Sequence, residues 1–304
     1  MIQRPDVYVC SKPLQYFNIK NIGKVENASQ EKILIVVGAF YDAKRYVEHI
    51  KEYDDEWTDV LYMNDVSESH HWIRNHRINN LFIENDASWK IFFINLFGRI
   101  KSIYVYEEGI GSYKNDTKGG IESVTRRILG VGNHNGESKY CKGIILTKPW
   151  LYNQKFNTTK ARAFRFSFGD CLRNNELLLE KITGSMPEVL NVSNNRVLIY
   201  VTEWKIHSDV LERFGNEVCN YDLCFIKLHP HIKTFKSTAN NLFHVIQSPM
   251  MMEMILYFLL KQNNQVTVWH HCSTSVVHFI DQITSVLLPI TPENKLLYLE
   301  YINA

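Results

Sequence analysis

Lys32-Ile-Leu-Ile-Val-Val37 is an apolar run that ends at Gly38. A strand with no polar alternation has no face to offer water, so it belongs in the middle of a parallel sheet covered on both sides. Similar short runs recur: Asp6–Cys10, Thr58–Met63, Asn80–Glu84, Ile103–Tyr106 and Gly143–Thr147 read as further strands. Between them lie helical signals. Ser11-Lys-Pro13 is a helix start with Ser as N-cap and Pro in the first turn, Tyr41 to Tyr53 is amphipathic, and Ser88 to Phe97 is apolar. Strands alternating with helices at this pace imply βαβ units and a mainly parallel sheet. The chain turns loop-like from Gly184 to Asn195, and the alternation restarts at Arg196–Val201. It continues through helix Ser208–Phe214, strands Tyr221–Leu228 and Leu242–Val245, and helix Met251–Leu260. Strand Gln265–Trp269, a helix from Val276, strand Ser285–Leu288 and helix Pro292–Tyr301 complete it. The fold class is therefore α/β. At 304 residues there is length for two domains, and the restart places them at 1–190 and 191–304.

Composition removes several function classes. The chain balances 34 basic against 32 acidic residues, which gives no global argument for nucleic acid. Its longest apolar run, Met250 to Leu260, contains Glu253 and is too short to span a bilayer. The polar opening Met1–Asp6 is not a secretory leader, so a cytoplasmic protein is expected. Six scattered cysteines without a CxxC pair suit free thiols in a reducing compartment. His70-His71-x4-His76 and His229-x-His231 lack Cys or carboxylate partners at ligand spacing, so no metal site is expected. No Walker loop or GxSxG is present, and Gly109-x-Gly111 lacks the third glycine of a dinucleotide fingerprint.

Chemistry-bearing residues collect at the carboxyl ends of strands. Ile103–Tyr106 runs into Glu107, Glu108 and Gly109. Acids there, with a glycine that lets a ligand approach, either form a site or end the strand in a solvated turn. Phe225-Ile-Lys227-Leu-His229-Pro230 ends a strand in a histidine that the following proline holds extended; it is a donor to a leaving phosphate or a structural turn residue. Trp269-His-His-Cys-Ser273-Thr274-Ser275 ends another in hydroxyls before a helix, suited to binding phosphate or to plain N-capping. Glu253 opens an apolar helix after Pro249, where it complements the macrodipole or takes ligand hydroxyls. Between Lys142 and Arg173 seven basic residues and one acid, Asp170, are interleaved with Trp150, Phe156, Phe164, Phe166 and Phe168. That stretch is either a solvated basic face or a surface for an anionic partner such as a phosphate-bearing lipid-linked glycan. The Gly- and Asn-rich segment 116–137, with a short helix over Glu122–Leu129, reads as a loop able to close over a substrate.

In order along the chain, Cys10-Ser-Lys-Pro13-Leu-Gln15, Glu107-Glu108-Gly109, Lys227-Leu-His229-Pro230 and Ser273-Thr274-Ser275 resemble the motifs of bacterial sialyltransferases. The opening is most similar to glycosyltransferase family 52, the lipooligosaccharide and O-antigen sialyltransferase group. Many members have Asp where this chain has two Glu. The resemblance implies a GT-B fold, two Rossmann-like domains with mainly parallel sheets facing a central cleft. It also implies metal-independent inverting transfer from CMP-sialic acid to a galactoside-type acceptor of a surface glycan, without a cofactor. Glu108, or Glu107, would be the catalytic base, and His229 would serve the departing CMP phosphate. Ser273 with Ser275 would hold that phosphate and Glu253 the ribose hydroxyls, with Lys227 and Thr274 also binding the nucleotide. Pro13, Gln15, Gly109 and Tyr113 would face the acceptor. The N-terminal domain would bind acceptor and carry the base; the C-terminal domain would bind the nucleotide sugar. Peripheral association with the inner membrane is compatible with this reading. Its rivals are a GT-B transferase using another nucleotide sugar, for example a glucosyltransferase, and a non-catalytic nucleotide- or glycan-binding module of a polysaccharide assembly complex.

Overall fold

The apolar runs pair into two sheets in which every described strand pair is parallel. The computed structural model describes residues 4–95, 99–115, 120–184, 187–232, 234–235 and 243–304. The first sheet contains β1 (Asp6–Cys10), β2 (Lys32–Val37), β3 (Asp59–Met63), β4 (Ile78–Ile83), β5 (Ile100–Tyr106), β6 (Cys141–Leu146) and β7 (Ala161–Ala163) in the order β3-β2-β1-β4-β5-β6-β7. The second contains β8 (Arg196–Val201), β9 (Leu223–Lys227), β10 (His244–Ile246), β11 (Gln265–His270) and β12 (Thr284–Leu287) in the order β10-β9-β8-β11-β12. Both orders reverse direction once, between β1 and β4 and between β8 and β11. In an open parallel sheet that reversal opens a crevice at the carboxyl ends of the two strands, where ligands bind.

The first sheet is filled from two sides, as period-two alternation requires. Val7, Val9, Ile35, Val37, Leu81, Ile83 and Ile103 point into one core cluster, where they meet Ile73, Ile91 and Ile94. Those last three come from α3 (Val66–Asn75) and α4 (Trp89–Asn95). On the other face Tyr8 stacks on Phe82 at 4.3 Å and Phe82 on Tyr104 at 5.3 Å, and the Arg162 guanidinium lies 5.2 Å from the Tyr104 ring. Gly143 of β6 pairs with Tyr104, and a side chain there would lie in contact with the Tyr104 ring. In the second sheet Leu198, Tyr200, Ile226 and Trp269 pack with Val210 and Phe214 of α8 (Ser208–Glu217). The helix α9 (Met252–Lys261) is apolar on almost every side and correspondingly buried.

The chain divides into two compact units, one of residues 1–39, 43–174 and 303–304, the other of 40–42 and 175–302. The sequence places the boundary at 190/191, in the 184–195 loop; the division falls instead inside α7 (Phe168–Thr183). The physical reason is that one continuous helix serves both cores. Phe168 packs against Phe17 of the first unit at 4.8 Å, while Glu176 pairs with Lys261 and Tyr257 of α9 in the second. Two other differences bear on the site. The helix predicted to start at Ser11 is α1 (Pro13–Lys20), with Lys12 at the N-cap and no side-chain cap. α10 (Thr274–Val277), predicted to begin at Val276, is a single turn that opens at Thr274. The predicted helix ends Leu96 and Phe97, strand residue Leu242 and loop residues 116–119 lie outside the described residues. Among those described, no helix is long and apolar enough to cross a membrane.

Candidate active site

In the first unit the strand ends at the order reversal carry a small set of polar groups. β1 delivers Ser11 and Lys12, β4 delivers Glu84, and the neighbouring β5 delivers Glu107 and Glu108. The two adjacent glutamates have different environments. Glu107 is 3% exposed, and its Oε2 accepts from the Thr147 backbone N–H at 2.5 Å and the Tyr113 hydroxyl at 3.0 Å. Its own carbonyl accepts from Asn18 Nδ2 at 2.8 Å. Glu107 is thus anchored by three elements of its own unit. Glu108 points the other way, as alternation along a strand demands. Its side chain is 36% exposed and pairs with the Lys12 ammonium. Its backbone N–H donates to Ser112 Oγ at 3.0 Å.

The turn behind this pair explains the rest of the motif. Gly109 has φ +136°, a conformation that side chains resist, so the chain can reverse into the 3-10 turn Ile110–Tyr113 only because a glycine stands there. That turn brings Tyr113, fully buried, back to donate to Glu107 and accept from the Lys148 N–H at 2.9 Å. Pro13 is buried at the start of α1. Gln15 is 1% exposed; its Oε1 accepts from the Ser11 N–H at 2.6 Å and Ser11 Oγ at 3.1 Å, which fixes the loop that presents Lys12. Its Nε2 has no hydrogen-bond partner among the described residues. Tyr113 and Gln15 therefore face inward, where each holds a neighbour of the exposed Glu108–Lys12 pair.

Sequence reasoning passed over Lys12 and Glu84 as site residues. Burial, followed by the charge of Glu108, pushes the Glu84 carboxyl up to about 7, with Lys12 working against the shift. The available signal was positional: Glu84 ends a strand next to β1 and β5, and Lys12 follows β1 directly.

In the second unit β9 ends in Lys227, and the chain continues through Leu228 to His229. The His229 N–H donates to Thr202 Oγ1 at 2.8 Å, which ties the His-Pro turn to the end of β8. His229 Nδ1 accepts from the His231 N–H at 3.3 Å, so in the neutral ring the proton sits on Nε2, and that nitrogen is a donor. Trp204, 69% exposed, stacks on the His229 ring at 5.2 Å; it too was missed, because a single Trp in a loop carries no motif. Lys227 is 5% exposed and donates to the Ser248 carbonyl at 2.8 Å; burial lowers its ammonium to about 8 despite the nearby Glu253. Glu253 is 2% exposed, and burial raises its carboxyl against the hydrogen bond from the Ser275 side chain and the charge of Lys227. Its Oε1 has no hydrogen-bond partner among the described residues. Ser273 is the N-cap of α10 without a side-chain cap bond, and its N–H donates to His270 Nδ1 at 3.2 Å. Thr274 begins the turn. Lys227, Glu253 and Ser275 are thus brought together, with the Ser275 side chain bonded to Glu253. No cluster of His, Cys, Asp and Glu able to hold a metal occurs among the described residues.

No protein-family model matches the chain, and no curated protein sequence matches it significantly. Solved structures do resemble it. One is a 2,6-sialyltransferase of a Photobacterium species (Vibrionaceae) in a ternary complex with the donor product CMP and the acceptor substrate lactose. It is 16% identical with a TM-score of 0.55, over 98% of this chain and 76% of that one. A second is the wall teichoic acid polymerase TagF soaked with CDPG, 11% identical with a TM-score of 0.51, over 91% and 73% of the two chains. A third is Arabidopsis thaliana UGT89C1 complexed with quercetin, 9% identical with a TM-score of 0.50, over 99% and 90%. At such identities the likeness concerns the fold, which is GT-B: two units, each with its own parallel sheet.

Proposed function

We propose that the protein is a glycosyltransferase that moves sialic acid from CMP-sialic acid to a galactoside-type acceptor of a bacterial surface glycan, with inversion and without a metal. In this reading Glu108 takes the proton of the acceptor hydroxyl as it attacks the anomeric carbon. The bond from that carbon to the CMP phosphate oxygen breaks, and negative charge grows on the phosphate. His229 donates to it from Nε2, and Ser273 and Thr274 lie on the same turn as further donors. Sugar transfer passes through an oxocarbenium-like state, so a base toward the acceptor and fixed donors toward the leaving group are the two needs of the reaction. Glu107 and Tyr113 position Glu108; they do not touch substrate. Glu253 accepts from the ribose hydroxyls, and Lys227 and Ser275 hold it for that task.

The observation that carries the proposal is Glu253, a carboxylate 2% exposed with one oxygen lacking a partner among the described residues, in the second unit of a GT-B fold. An unsatisfied buried acceptor costs about 1 to 3 kcal/mol, a cost that a diol from a nucleoside would offset. The ordered sialyltransferase-like motifs support CMP as the nucleotide, as does the likeness to the Photobacterium enzyme crystallised with CMP and lactose. TagF and UGT89C1 share the fold and favour a second reading, a transferase with another nucleotide-sugar donor. Calorimetry with CMP and UDP separates the two: tight UDP binding without CMP binding would sink the sialyl reading. Release of CMP from CMP-sialic acid only when a galactoside is present tests the transfer. A non-catalytic binding module predicts no turnover for Glu108→Ala or His229→Ala to abolish. The cytoplasm is the proposed location, with peripheral membrane association left to a lipid-linked acceptor.

A further inference from the structure

A pocket of about 190 Å³ opens at the carboxyl ends of β6 and β7, within the first unit. Asn18, Thr147, Phe164, Arg165, Phe166 and Ser167 are among its lining residues. Two of its walls are the groups that anchor the glutamate pair: Asn18 donates to the Glu107 carbonyl, and the Thr147 N–H donates to the Glu107 carboxylate. The pocket is therefore built into the same scaffold that presents Glu108.

Its chemistry is that of a sugar site with a charge. Asn21 clamps the loop: its Oδ1 accepts from the Phe166 N–H at 2.9 Å, and its Nδ2 donates to the Phe166 carbonyl at 3.0 Å. That fixes a segment in which Phe164 and Phe166 offer apolar surface beside the Asn18 amide and the Thr147 and Ser167 hydroxyls, the mixture that ligand pockets use. The Arg165 guanidinium lies 4.6 Å from the Phe166 ring, and no carboxylate pairs with it among the described residues. The acid of the stretch, Asp170, is already engaged by Ser167 Oγ at 2.5 Å and by Arg173. Six further basic residues lie between 142 and 173, so the local field is positive. The volume equals about six waters at liquid density, room for one sugar ring.

Resting on the glycosyltransferase reading, we propose that this pocket is an acceptor subsite for a single sugar ring bearing an anionic group, a phosphate or a carboxylate. Arg165 pairs with the anion, and Phe166 covers the apolar face of the ring. The basic, aromatic stretch that the sequence left as either a solvated face or an anionic-partner surface takes the second role. Arg165 is exposed, so its replacement leaves the core intact.

The test is direct binding without donor, so that it does not depend on turnover. The full chain and Arg165→Gln are titrated by calorimetry and saturation-transfer NMR with methyl galactoside, its 6-phosphate, methyl galacturonide and inorganic phosphate. The expected result is at least tenfold tighter binding of an anionic sugar than of the neutral one, with that preference lost in Arg165→Gln and neutral-sugar binding unchanged. The phosphate and uronate arms tell which anion is preferred. Equal binding of neutral and anionic sugars by the native chain, or an unchanged preference in Arg165→Gln, overturns the inference, as does inorganic phosphate binding as tightly as the sugar phosphate. Transfer without anionic-sugar binding removes the subsite alone; binding without any transfer removes the proposed reaction and leaves the subsite.

Discussion

Replacing the two adjacent glutamates one at a time separates anchoring from chemistry. Glu107→Leu removes the acceptor of the Thr147 N–H and the Tyr113 hydroxyl, both bonded to one oxygen of a side chain 3% exposed. Each buried donor left without an acceptor costs about 1 to 3 kcal/mol, so the loss is about 2 to 6 kcal/mol. At about 2 to 4 °C per kcal/mol for a domain of this size, melting falls by at least about 4 °C. Glu107→Gln keeps a carbonyl oxygen for both donors and loses only the charge, at about 1 to 2 kcal/mol. Glu108→Gln touches a side chain 36% exposed, whose pairing with Lys12 is worth about 1 kcal/mol at most. Its melting temperature stays within about 4 °C of the native value, while CMP release falls by about 10² to 10⁴, the range for loss of a general base. The measurements are thermal unfolding and acceptor-dependent CMP release from CMP-sialic acid. Native turnover in Glu108→Gln, or loss of turnover in a Glu107→Gln that melts like the native chain, refutes the division of roles.

Three other outcomes follow from the same geometry. Because burial lowers Lys227 from 10.5 to about 8, the folded chain binds fewer protons than the unfolded chain between those values. Stability gained from pH 8 to 10, measured as the difference between the native chain and Lys227→Met, should be about 2 to 3 kcal/mol, and a flat difference would show Lys227 solvated. Lys227→Met alone leaves Glu253 without its cation and should lose more stability than Lys227→Met with Glu253→Gln; strictly additive losses in chemical denaturation would contradict the pairing. Glu84 titrates at about 7 beside Glu108, so kcat/KM should change between pH 6 and 8 in the native enzyme, and that change should shrink in Glu84→Gln; identical profiles would exclude the coupling.

The central strands were legible because they are apolar enough to be buried on both faces: β1, β2 and β8 lie where the runs Asp6–Cys10, Lys32–Val37 and Arg196–Val201 place them, whereas the short, partly exposed edge strand β7 carries no such run and was not read. Helices that carry charge were harder to see. α3 escaped because its inward face among the described residues is little more than Ser69 and Ile73, too short a stripe to show a period. α7 was passed over although its buried Cys171, Leu172, Leu179 and Ile182 recur at helical spacing, a stripe with only three fully apolar side chains over sixteen residues. Local reading marked Glu107, Glu108, Lys227, Glu253 and Ser275, since each sits at a strand or helix end. It could not tell that Glu107 faces inward, because the partners that make it so, Thr147 and Tyr113, are set by the turn at Gly109 and by the pairing of β5 with β6. Glu84 and Lys12 became visible only with the strand order, which places β4 between β1 and β5.

Each unit places a lysine beside a glutamate at the carboxyl edge of its sheet, and burial decides what each pair can do. Lys12 and Glu108 are 17% and 36% exposed, so water screens the pair and either group can leave the other for a substrate at little cost. Such a carboxylate is suited to accept a proton from an incoming hydroxyl. Lys227 and Glu253 are 5% and 2% exposed, and for both the cost of desolvation outweighs their attraction, which moves the lysine down and the glutamate up. A pair held in that state gains most from hydrogen bonds that replace lost water, and one Glu253 oxygen has no partner among the described residues. In the proposed reaction the exposed pair would serve proton transfer and the buried pair binding. A nucleoside diol that reached Glu253 should therefore bind more tightly as the pH falls through 8 and Lys227 becomes fully charged, an effect that Lys227→Met would remove. Binding of CMP that is indifferent to pH between 7 and 9 in the native chain would break this link between burial and role.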